Sequence, residues 1–104
     1  LHMGYNYYDF NGNNEFDLVK ATLGAIEGPV GTIKASDYWE ENEHFLEVVL
    51  EIDEEYNYVF DDTYLYVGSL AGYEGRWYKA FPWSVEGIFA GSRVFRINFD
   101  EITM

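Results

Sequence analysis

The sequence predicts an all-β protein, a single antiparallel β-sandwich of about seven strands. Three observations carry that prediction. Residues 45–53 alternate, with Leu46, Val48, Leu50 and Ile52 on one face and Glu47, Val49, Glu51 and Asp53 on the other. Residues 93–100 alternate again, with Phe95, Ile97 and Phe99 inward and Val94, Arg96, Asn98 and Asp100 outward. A period of two is the signature of a strand with one buried face. Finally, glycine, proline, asparagine and aspartate punctuate the chain at short intervals, and no stretch carries the apolar period of a long helix.

Taken in order, residues 5–10 are aromatic-rich and suit a first strand. Asn11-Gly12 follows, and both residues tolerate positive φ, so residues 11–14 read as a hairpin turn into a strand over residues 15–23. Residues 24–29 contain Gly24, Gly28 and Pro29 and read as a break, and residues 30–35 as a strand. Residues 37–44, with Glu40, Glu41 and Glu43, read as a polar loop. Residues 45–53 are the strand already described, and residues 56–60 are a short strand or ordered loop. Asp61-Asp62 turns the chain into Thr63-Tyr64-Leu65-Tyr66-Val67, rich in β-branched and aromatic residues. Tyr64 and Tyr66 point one way and Leu65 and Val67 the other. Gly68 and Gly72 then release the backbone from the sheet. Residues 76–81 read as a strand stopped by Pro82, residues 85–91 as irregular, and residues 93–100 as the last strand.

One domain fits 104 residues. Leu1-His2-Met3 looks like a cloning remnant, which places the domain at residues 4–104. Nineteen acids against six bases give a net charge of −13. Such a chain repels the phosphate backbone, which excludes nucleic acid as a partner, and it disfavours anionic membrane surfaces. No apolar run is long enough to span a bilayer, and no signal peptide is present. Without cysteine there are no disulfides, no thiol chemistry and no thiolate metal sites.

The run Thr63-Tyr64-Leu65-Tyr66-Val67-Gly68, followed by Phe81-Pro82-Trp83, resembles a module of secreted and cell-surface bacterial proteins. That module carries a T-x-L-Y-V-G strand and a later F-P-aromatic step. Glu15-Phe16-Asp17-Leu18, Val30-Gly31-Thr32-Ile33 and Leu46-Glu47-Val48-Val49-Leu50 resemble its earlier strands, in the same order. The resemblance implies a secreted or cell-surface β-sandwich and no particular activity. The resembling modules carry one further strand after the segment matched by residues 93–100, whereas this sequence continues only to Met104. A sheet edge is therefore expected to lie open near Phe95 to Phe99. It would be available for self-association or for a partner's strand.

Three constellations are candidates for chemistry. Oxygen-bearing side chains alternate at Asp9, Asn11, Asn13, Glu15 and Asp17, a spacing that can wrap a calcium ion. Lys20, however, stands where an EF-hand loop places its bidentate glutamate, and a plain hairpin turn explains the same residues. Asp53, Glu54, Glu55, Asp61 and Asp62 read as solvated turn residues. Trp39, Tyr73, Trp77 and Trp83 are candidate ligand-binding rings, since sugars stack on exposed aromatics, and the competing role for them is core packing. Catalysis finds no support in the residues. His44 stands among glutamates without a partner nucleophile in the sequence, and no serine sits in a nucleophile motif. The expectation is a non-catalytic module with a structural, adhesion or protein-binding role. A carbohydrate-binding module, with or without calcium, is the alternative, and an acidic inhibitor of a basic enzyme is a weaker one.

Overall fold

A computed structural model describes residues 2–4, 14–22, 25–68, 77, 79 and 81–102. The described residues are all-β and antiparallel, with seven strands in two sheets. The larger sheet has the order β1 (His2–Gly4), β2 (Asn14–Thr22), β3 (Ala25–Glu40), β4 (Glu43–Ile52) and β7 (Arg93–Asn98). The smaller sheet is a hairpin of β5 (Thr63–Leu65) and β6 (Trp83–Val85). The expected single seven-strand sandwich is thus resolved into one broad sheet and a much smaller second layer.

The centre of the molecule is the β3–β4 hairpin, paired in unbroken register from Gly31↔Ile52 to Glu40↔Glu43. Its turn is Glu41-Asn42, both at positive φ (50° and 67°). Two successive left-handed residues make the mirror-image turn whose twist matches that of paired strands. The expected polar loop over residues 37–44 is therefore corrected. The strands run to the turn on both sides, and the glutamates are edge-of-hairpin residues rather than loop filler.

The break expected at residues 24–29 is corrected too. Strand β3 runs straight through it, from Ala25. Register shifts between Leu18 and Val19 and between Lys20 and Ala21 accommodate the irregular backbone, with Val19 opposite Pro29 and Lys20 opposite Gly28. Bulges are where a strand tolerates proline and an extended glycine at unusual φ. Gly28 has φ 142°. The carbonyl of Val30 meanwhile accepts from the Asp53 amide at 2.8 Å, which extends the β3–β4 ladder.

Paired residues share a face, so Ile33 and Ala35 of β3 lie with Leu46, Val48 and Leu50 of β4 and Phe95 and Ile97 of β7. Leu46, Val48, Phe95 and Ile97 are buried, and Leu65, Val67, Trp83 and Val85 of the second layer pack over them. The inward set expected for β4 and β7 is the observed one, with Leu50 partly buried between this cluster and a second one of Leu18, Val30 and Phe60. Gly31 belongs to the crossing of β3 and β4. An added Cβ would stand 1.8 Å from the Glu51 carbonyl oxygen.

Other expectations resolve as follows. His2 and Met3 pair with Ala21 and Lys20 in β1. The T-x-L-Y-V strand is shorter than expected and ends at Leu65, although Leu65 and Val67 do face the core. The strand expected over residues 76–81 is corrected where it is described: Trp77, Lys79 and Phe81 are all outside any strand, and residues 76, 78 and 80 lie outside the described residues. Strand β6 begins instead after Pro82, at Trp83. The strand expected over residues 5–10 and residues 11–13 of the expected turn lie outside the described residues, and Asn14, expected in that turn, opens β2.

Candidate functional site

Strand β7 pairs with β4 from Leu50↔Arg93 to Phe45↔Asn98 and is the last strand of the sheet order. Among the described residues nothing pairs with its outer side. It is six residues long and ends in a 3-10 turn, Phe99–Glu101, capped by the Asn98 side chain, whose oxygen accepts from the Asp100 amide at 2.9 Å. The open edge expected near Phe95 to Phe99 is present in this sense.

The two ends of β7 differ. At its start, Arg93 takes the inward position that alternation assigns it, and only 6 % of it is exposed. Its guanidinium donates to the carbonyls of Asp61 and Gly87 and lies 5.4 Å from the Phe89 ring centre. Val85, Phe89, Ser92 and Val94 line a shallow hollow of about 180 Å³ with it. The loop carrying Phe89 is fixed by a backbone bridge, with Phe60 and Phe89 exchanging hydrogen bonds at 3.0 and 2.8 Å. The Asp62 carboxylate adds a 2.8 Å bond from the Gly87 amide. Asp61 and Asp62 are exposed turn residues, as expected, and they also tie the two connections of the second layer together.

At the other end a ladder of rings crosses the sheet. His44 pairs opposite Trp39 across the hairpin. Its imidazole is stacked between Trp39 (centroids 4.4 Å apart, planes at 4°) and Phe99 (4.0 Å, 10°). The Asp37 carboxylate holds His44 Nε2 at 2.6 Å. With both faces covered and one nitrogen taken, the ring is a packed structural element. Trp39 is 69 % exposed. On the opposite face of the sheet Arg96 pairs with Glu40 and covers the Phe45 ring at 4.3 Å and the Tyr38 ring at 5.4 Å.

Of the four candidate ligand-binding rings, Trp39 and Trp77 are exposed, whereas Trp83 is a partly buried β6 residue packed on the core. Tyr73 lies outside the described residues. Of the candidate calcium ligands, Asp9, Asn11 and Asn13 also lie outside them. Glu15 and Asp17 are exposed on β2, opposite Lys34 and Thr32. They are strand residues in the β2–β3 ladder. Among the described residues no three histidine, aspartate or glutamate side chains come together as metal ligands. Nearby, Lys20 donates to the Tyr58 hydroxyl at 2.9 Å, and that bond holds the lysine pKa above its ordinary value.

Arg93 and the His44 ladder were missed at the level of sequence. Alternation from Phe95 does place Arg93 inward. The habit of keeping arginine outside hides it. The ladder becomes visible only once Glu41-Asn42 is taken as a two-residue turn, which puts Trp39 opposite His44. No family model matches the chain, and no curated protein or solved structure matches it either. Among the described residues no helix is long and apolar enough to cross a membrane.

Proposed function

We propose that the chain is a non-catalytic binding module, a small β-sandwich working outside the cell or at its surface, that captures an extended segment of another protein as an added strand on β7. The observation that carries this reading is the unpaired outer side of β7 within the described sheet. An edge strand presents a row of amide and carbonyl groups that another chain can complete. Exposed Val94 and Phe89, beside the same edge, supply apolar surface for the incoming segment. The extracellular setting rests on the resemblance of the Thr63 to Gly68 run alone.

The test is selection from a displayed library of random linear peptides, followed by amide hydrogen exchange of the protein with and without a selected peptide. The reading expects slowed exchange within Arg93–Asn98. Peptides that slow exchange elsewhere and leave β7 unchanged would overturn it. The exposed ring of Trp39 favours a second reading, a carbohydrate platform. Glycan-array binding abolished by Trp39→Ala would support that one instead.

A further inference from the structure

Arg93 is a buried cation in a strongly acidic protein, yet among the described residues no carboxylate pairs with it. Its hydrogen bonds go to two backbone carbonyls, those of Asp61 and Gly87, and its Nε is buried without any acceptor. The chain has 19 carboxylate side chains, and among the described residues Glu40 pairs with Arg96 and Asp37 holds His44. A guanidinium keeps its charge at any physiological pH, and burying it without a counter-charge is costly. Carbonyl dipoles offset part of that cost, but they supply no net negative charge. Nearly every buried polar group in a protein is satisfied, so an orphaned donor on a buried arginine calls for an explanation.

Its position supplies one. Arg93 is the first residue of β7 and forms part of the hollow with Val85, Phe89, Ser92 and Val94. Phe89 is 48 % exposed at its rim. Gly91, two residues before Arg93, has φ 158°. Every pairing in the described sheets is antiparallel. A strand added to β7 in the same sense would run toward Arg93 and bring its C-terminal end to the hollow.

We propose that the hollow is a carboxylate-binding pocket for the C-terminus of a captured peptide. The chain-end carboxylate pairs with the Arg93 guanidinium, and an apolar last side chain packs against Val85, Phe89 and Val94. Residues further from the peptide's end lie along an acidic protein, so basic residues suit those positions. This inference rests on the strand-capture reading and names the end of the strand that is captured.

Two immobilised peptide libraries test it. Both hold random linear peptides ending in leucine, valine, isoleucine or phenylalanine, one with a free C-terminal carboxylate and one with a C-terminal amide. Peptides selected from the first should bind the wild-type protein and slow amide exchange in Arg93–Asn98. Amidating a selected peptide should weaken its binding by about tenfold or more, the size of a charge-assisted hydrogen bond. Phe89→Ala, an exposed change that leaves the core intact, should weaken free-acid peptides most when their last residue is large. Arg93→Gln should remove the difference between acid and amide. If that variant unfolds, the amide comparison on wild-type protein decides alone. Peptides that protect β7 equally as acid and amide would overturn the pocket while leaving strand capture standing. Failure of both libraries to yield a peptide that protects β7 would overturn both.

Discussion

The β3–β4 hairpin and the β5–β6 hairpin are both antiparallel, but they are held together by different forces. The first pairs along ten residues of each strand around a two-residue turn. Its inner face supplies Leu46 and Val48 to the core. The second pairs along only three residues of each strand, from Thr63↔Val85 to Leu65↔Trp83. Its position depends on Leu65, Val67, Trp83 and Val85 lying on the larger sheet, and on polar ties from Asp61, Asp62 and Arg93. A two-stranded hairpin is marginal by itself in water, so the larger sheet is the platform and the smaller hairpin a dependent cover. The hollow beside β7 is built largely by that cover and its connections.

The contrast can be broken most severely from the platform. Ile97, 1 % exposed on β7, touches both layers' shared core. Ile97→Ala should cost ~2–5 kcal/mol, which unfolds a large share of so small a domain. Both layers should melt together, and a urea titration followed at a tyrosine of the cover and at a β4 amide checks this. Gly31→Ala comes next. Its new Cβ would meet the Glu51 carbonyl, so β3 and β4 must move apart at a cost of ~1–3 kcal/mol. A melting temperature equal to wild type would show that the two strands are not that close.

Smaller changes separate the two hairpins. Asp62→Ala removes the acceptor of the Gly87 amide and should cost ~0.5–1.5 kcal/mol. The loss should appear as faster exchange near Gly87 and the β5–β6 pair, with β3 and β4 amides unaffected. Equal loosening of both hairpins would mean that the cover is not a separate dependent unit. Glu41→Asn should act in the other direction. Asparagine accepts the left-handed conformation better than glutamate does. The variant should therefore melt slightly higher, by ~0.5 kcal/mol or less in stability. A fall in melting temperature would argue against the turn at Glu41-Asn42.

How much of this was legible in the sequence follows the same division. The inner faces of β4 and β7 were readable because one buried face imposes a period of two on Leu46, Val48, Phe95 and Ile97. The turn at residues 41–42 was hidden because Glu41 is a poor match to left-handed backbone and the flanking glutamates look like loop. The continuity of β3 was hidden because Gly28 and Pro29 are ordinarily strand breakers, and only the bulges in the β2–β3 ladder make room for them. In the second layer, Leu65 and Val67 were correctly turned inward, but their short ladder leaves little periodicity to read. Pro82 marked the start of its second strand rather than the end of an earlier one. At the candidate site, the place of β7 at the end of the described sheet order was anticipated, whereas the buried Arg93 was not. Its burial is set by carbonyls that arrive from residues 61 and 87, which no local pattern around Arg93 announces.

The central claim is that β7 offers an unpaired edge. Amide hydrogen exchange of the free protein, resolved residue by residue across Arg93–Asn98, tests it most directly. An edge strand bonded only to β4 should show alternation, with amides directed at β4 protected about as well as those in the sheet interior and the intervening amides exchanging far faster. Uniform protection of all the β7 amides, at the level found in β3, would mean that another strand already covers this edge and would contradict the account.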